Sequence, residues 1–169
     1  MMKQRIWFER SFDLNLPIES WPEVMSRLRG APARLEELIR AIPAEDWTAP
    51  QEQGWSIQTQ VGHLKDLEAL WLARVADFAS GARVLAAADL ANRATEEADH
   101  DGDSMPRLFG AFRWARVQLV AALGALDHDA LGRASLHPRL GVPITPTGLA
   151  FFVAEHDDHH LATIYRLGG

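Results

Sequence analysis

Apolar residues return every three or four positions in four stretches of this chain, and residues that start or stop helices bound each stretch. The first opens at Ser20-Trp21-Pro22-Glu23, where Ser20 is placed to cap the free amides and Glu23 to reciprocate. Its seam runs Val24, Leu28, Ala31, Leu35, Leu38 and Ile42, and Gly30 and Pro32 are expected to kink it. The second begins near Ser56, sets Gln60, His63, Leu67, Leu70, Trp71 and Phe78 on one side, and ends by Gly81. After a polar connection from Ala82 to Gly102, the third carries Pro106 in its first turn and a seam of Leu108, Phe112, Ala115, Leu119, Ala122 and Leu126. The fourth has Thr145 as N-cap and Pro146 at N1, turns Leu149, Phe152, Val153, His156, His160, Ile164 and Leu167 inward, and stops at Gly168-Gly169. The pattern is all-α. Residues 127–142, with Gly132, Pro138 and Gly141, read as an irregular loop of the length that often serves a site. Residues 1–16 read as an extended arm packed outside a bundle that occupies residues 17–169.

Composition narrows the partners. At 169 residues the chain is long enough for one domain with a real core. A net charge of -6 and a pI near 5.6 argue against nucleic acid and anionic membranes, both of which select basic surfaces. No apolar run approaches the roughly 18 residues of a membrane span, and the start MMKQRIWFERSFDLNLP lacks the apolar stretch of a signal peptide, so a cytoplasmic protein is expected. The chain has no cysteine. Disulfides, thiolate ligands and a cysteine nucleophile are therefore excluded, and any metal is held by nitrogen or oxygen.

The fourth seam changes from apolar to histidine halfway along. His156 and His160 are one turn apart, about 6 Å along the axis, and point the same way, which makes half of a metal site. Of the other histidines, His63 is the one on the apolar seam of a long helix, and it supplies the third imidazole. Neutral imidazole suits zinc or nickel first, and also iron or manganese. The plain reading of HDDHH is a solvated charged face, but three inward imidazoles without an ion would bury a cluster of polar atoms. His159 lies about 100° from His160 around the helix and reads as a rim residue, while His100 and His128 fall in polar connections and read as exposed. His137, in SLHPRLGVP, stays outside the ligand set. Glu155, Asp157 and Asp158 read as solvated charge, with a hydrogen bond to an imidazole as their functional alternative.

Trp55, Trp71 and Trp114 read as packing residues, and Arg113 and Arg116 as helix arginines whose direction the pattern leaves open. No phosphate loop, nucleophile elbow or HExxH motif occurs.

Trp55-Ser56 leading into Val61-Gly62-His63-Leu64, then Asp66, and later His156-Asp157-Asp158-His159-His160-Leu161 resemble the DinB/YfiT-like superfamily of metal-binding four-helix bundles. The resemblance runs from about Trp21 to Leu167. It implies an up-down-down-up bundle, metal ligation by His63, His156 and His160, and frequent homodimers. It also implies thiol-dependent transferases and isomerases that use a low-molecular-weight thiol, and no DNA polymerase. Three ligands leave a coordination position open, as in catalytic rather than structural sites. The expectation is a metal-dependent enzyme acting on a small molecule: thiol-dependent transfer to an electrophile first, hydrolysis by metal-activated water second. A noncatalytic, metal-stabilised interaction protein is the rival from another class.

Overall fold

The computed structural model describes residues 4–52 and 54–169. Four long helices form the bundle: α1 (Trp21–Ala41), α2 (Ile57–Ser80), α4 (Met105–Gly124) and α6 (Pro146–Gly168). Two short helices, α3 (Arg93–Glu96) and α5 (His128–Leu131), sit in the connections. A two-stranded antiparallel sheet pairs β1 (Ser135–Leu136) with β2 (Pro143–Ile144).

Three of the long helices start as their sequences dictate. The side chains of Ser56, Ser104 and Thr145 accept hydrogen bonds from the amides of Thr59, Arg107 and Gly148. Ser20 does not cap α1, because the 3₁₀ turn Ile18–Ser20 brings the chain in already helical, with Ser20 at φ -76° and ψ -9°. An extended residue is what a side-chain cap needs.

Helix directions follow from which residues meet. Arg27 bonds Glu155 and Arg34 bonds Asp158, and Ile42 lies against Gly168, so positions rise together and α1 runs parallel to α6. Gln58 bonds the Asp103 carbonyl and Glu68 pairs with Arg116, so α2 and α4 are parallel too. Gln60 meets His160 while Trp71 meets Phe152, which makes α2 antiparallel to α6. The result is the up-down-down-up order, with α1 beside α6 and α4.

The core has two apolar layers. One gathers Leu28, Val75, Phe78, Leu119, Leu149 and Val153, and the other Leu35, Ile57, Leu64, Phe112, Leu161 and Ile164. A polar layer lies between them, made of Glu68 on α2, Arg116 on α4, and His156, Asp157 and His160 on α6, all buried. The α4 seam therefore passes through Arg116 rather than Ala115, and ends on Leu119 and Leu123.

The arm is not confined to the exterior. Leu14 is buried and its carbonyl accepts from the Thr145 amide. Gly148 lies directly under that carbonyl, where a Cβ would collide with it. Arg10 pairs with Glu155, and Trp7 packs its ring on Phe152 and His156. Among the described residues no helix is long and apolar enough to cross a membrane.

Candidate metal centre

His63, His156 and His160 come together as the sequence predicts, buried, with one ligand nitrogen from each within 4.8 Å of the others. Gly62 helps to place the first. With no Cβ there, the ring of His100 lies flat on α2 next to the His63 turn.

Partners of the rings fix where the protons sit. Thr95 donates its only hydroxyl hydrogen to Asp66 Oδ2 at 3.0 Å, so its oxygen accepts from His63 Nδ1–H, also at 3.0 Å. The Gln60 carbonyl oxygen accepts from His160 Nδ1–H at 2.6 Å. Both imidazoles therefore present a bare Nε2 lone pair. His156 Nε2 stands 3.1 Å from His160 Nε2, and His156 Nδ1 is buried without a partner among the described residues. One shared proton between His156 and His160 would still leave His63 Nε2 unmatched, whereas a cation takes all three lone pairs. The donor set fits a borderline transition metal.

Electrostatics keep the rings in the ligating form. Burial pushes His63 down to about 4 against the pull of Asp66. Burial, reinforced by neighbouring imidazoles, holds His156 and His160 well below their usual value. Asp66 anchors the outer layer. Burial alone would raise its pKa, but hydrogen bonds from Lys65, His100 and Thr95 outweigh it and lower the carboxyl. His100 Nε2–H donates to Asp66 at 2.8 Å, so this histidine is buried and structural rather than exposed as its polar surroundings suggest.

The trio faces a cavity of about 210 Å³. Trp7, Trp55, Leu67, Leu70, Trp71 and Phe152 make its walls. Trp55 leans on His63 with ring centres 4.6 Å apart and donates its indole N–H to Glu96. It belongs to the site, not only to packing. Trp114 belongs to neither, being 68% exposed on α4. His159 sits at the rim, bonded to Gln4. His137 is buried and lines the cavity with Arg139, so the 127–142 loop covers the site.

The acidic neighbours of the ligands serve the scaffold. Asp157 is buried and ion-paired to Arg116, which also holds Glu68. Burial raises Glu68 to about 7 despite Arg116, and Asp157 is raised too. Burial opposes the Arg116 charge, but the two carboxylates outweigh it and keep the guanidinium ionised. Glu155 and Asp158 clasp Arg10, Arg27 and Arg34, tying the arm and α1 to α6. Period alone carried a signal for Arg116, four residues after Phe112 and three before Leu119. Thr95 and His100 had none, since they lie in a connection with no period.

Four long helices around buried imidazoles that open on one cavity define a helical-bundle protein with a candidate metal centre. The chain belongs to the DinB superfamily, whose sequence profile matches residues 27–164. It is similar in structure to YfiT from Bacillus subtilis, a probable metal-dependent hydrolase with an unusual four-helix bundle topology. The TM-score is 0.79 at 20% identity, over 94% of this chain and 91% of that one. It is also similar to the mycothiol-dependent maleylpyruvate isomerase, with a TM-score of 0.70 at 13% identity. That match covers 90% of this chain and 62% of the isomerase, so the chain spans less than two thirds of that protein. At such identities the likeness is one of fold. No curated protein matches the chain significantly.

Proposed function

We propose that this protein is a metal-dependent enzyme in which His63, His156 and His160 hold one divalent transition ion, zinc or nickel before iron or manganese, and that it transfers a low-molecular-weight thiol to a small electrophile. The observation that carries the reading is the convergence of neutral imidazoles, two with Nδ1 hydrogens engaged elsewhere, at one end of an aromatic-walled cavity. A bound ion there would act as a Lewis acid that favours the ionised form of a thiol or of water.

The chain's own residues favour the thiol. Asp89 is the one carboxylate lining the cavity among the described residues, and it is exposed at the rim and paired with Arg93. A buried carboxylate base for attacking water is therefore lacking there among the described residues, which leaves the neutral imidazoles of His137 and His159 for that task, whereas a thiol has a single proton to lose before it attacks. The chain has no cysteine, so the sulfur must arrive from outside. Trp7, Trp55 and Trp71 would exclude water and hold an apolar body against the trio.

A second reading, hydrolysis, draws support from the similarity to YfiT. Incubation of the metal-loaded protein with mycothiol, bacillithiol or glutathione and monochlorobimane separates the two. Metal-dependent conjugate formation is expected. No conjugate with any thiol, together with metal-dependent turnover of ester, amide or phosphoester probes, would move the assignment to a hydrolase. Inactivity in both, with a large fall in Tm on chelation, would make the ion structural.

The homodimer implied by the resemblance belongs to the same proposal. Trp114 and Val117, both exposed on α4, offer it an apolar face, and sedimentation equilibrium of wild type and Trp114→Lys tests it.

A further inference from the structure

The cavity has a second end, away from the histidine trio. Arg74 of α2 lines it together with His137 and Arg139 from the segment between β1 and β2. Arg74 is 1% exposed and spends its Nε on the Ala86 carbonyl at 2.9 Å. Burial lowers its pKa to about 10, with Asp77 countering and Arg139 adding, so it remains charged at neutral pH. Neither Arg74 nor Arg139 forms an ion pair among the described residues. The acids nearby are engaged: Asp77 accepts from the Ala86 amide, and Asp89 holds Arg93.

The bonding of His137 decides what is missing. The amides of Arg139 and Leu140 both donate to its Nδ1, at 3.3 and 3.2 Å. Nδ1 is thus a lone-pair acceptor, and the neutral ring carries its hydrogen on Nε2. Burial, with Arg74 and Arg139 alongside, holds His137 down to about 4 and keeps it neutral. Its Nε2–H stands 3.4 Å from Nη1 of Arg74, a group that also only donates. Two donors meet in a buried wall with no acceptor between them among the described residues. Such a pair is unfavourable unless something supplies the acceptor.

We propose that Arg74, His137 and Arg139 form a carboxylate-binding cradle, and that the cavity takes a small organic acid whose apolar body runs from the cradle toward the histidine trio. Phe152 measures the span. Its ring centre is 5.4 Å from that of His137, and it precedes His156 by one turn of α6, about 6 Å along the axis. The two steps make a path of about 11 Å, which a single aromatic ring or a short carbon chain fills once about 3 Å of contact distance is left at the cradle and at the trio. Phe152, Trp71, Leu67 and Leu70 make the wall between the two ends apolar. A volume of about 210 Å³ lies below the roughly 300–1,000 Å³ of sites for drug-sized ligands, so the acid is small. The cradle itself needs no metal; only its role as the anchor of the reacting molecule rests on the function proposed above.

Benzoate and benzamide share a shape and differ in charge, which makes them the probes. Each is titrated by calorimetry into the metal-free full-length protein, in a buffer without carboxylate or phosphate, with Tm as a parallel readout. Benzoate is expected to bind saturably at one per chain and raise Tm, and benzamide to bind at least about tenfold more weakly. Arg74→Gln should weaken benzoate about tenfold or more, the loss of a charge-assisted hydrogen bond. Should that buried variant fail to fold, Arg139→Gln in the covering loop carries the test, with a loss of about fivefold expected. Equal binding of the two probes, or unchanged benzoate affinity in the folded arginine variants, would overturn the cradle. Inorganic phosphate binding as tightly as benzoate would overturn the organic acid. Because no metal is present, these outcomes are independent of whether the histidine site holds an ion.

Discussion

Thr95 shows how one hydroxyl can set up a ligand. By giving its hydrogen to Asp66 it becomes an acceptor for His63 Nδ1–H, and the lone pair of His63 turns to the trio. Thr95→Val should therefore keep the fold, by circular dichroism, and weaken metal affinity about 10–100-fold in competition with a chelator. Unchanged affinity would remove Thr95 from the site. Arg116 shows the opposite case, a charge serving the scaffold. Arg116→Met leaves Glu68 and Asp157 buried without their cation and should lower stability by about 3–5 kcal/mol in urea unfolding. At this scale the sequence made His63, His156 and His160 legible because each falls on a helical seam. Thr95, His100, Arg74 and His137 were out of reach, since their meaning comes from partners far away in the chain.

Among the elements, the N-terminal arm is held to α6 by several contacts, and the tightest of them is a close approach of backbone to backbone. Gly148 opens α6 beneath the Leu14 carbonyl, and the arm beyond carries Trp7 to the trio. Gly148→Ala should push the arm off, destabilise the protein by about 1–3 kcal/mol and change the fluorescence of Trp7. A Tm equal to wild type would show that the arm tolerates the methyl group. The four long helices were legible because an apolar period runs through each, and Ser56 and Thr145 cap theirs as the punctuation indicates. The one boundary signal that misled was Ser20, overridden by the 3₁₀ turn before it. α3, α5 and the β1–β2 pair are too short to carry a period. They exist through tertiary contacts such as the Leu85 amide bonding the Leu136 carbonyl.

For the whole molecule, the polar layer between two apolar layers couples stability to pH in two directions. The trio is held neutral when folded, so the unfolded chain takes up protons first as pH falls below about 6.5. Its share of stability is complete above that value and, for His63, is lost toward about 4. Glu68, raised to about 7, acts in the opposite sense, gaining stability as pH falls from there toward the ordinary carboxylate range. Metal binding isolates the histidines from this opposition. Already neutral rings have no protons to lose, so calorimetry at pH 7 in buffers of different ionisation enthalpy should find close to zero protons released per ion. A release approaching one or more would mean that the trio is protonated before the metal arrives. Binding of the ion to the folded state alone should also raise Tm with metal concentration.

The convergence of His63, His156 and His160 on one ion is the claim on which the proposed catalysis depends. Elemental analysis of untagged protein, as purified and after reconstitution with zinc, nickel, manganese or iron, tests it directly beside the alanine variants of His63, His156, His160 and His159. Near one metal per chain in wild type and in His159→Ala, with loss in each of the other three, is the predicted result. No metal in wild type under any condition, or equal occupancy in all the variants, would contradict it.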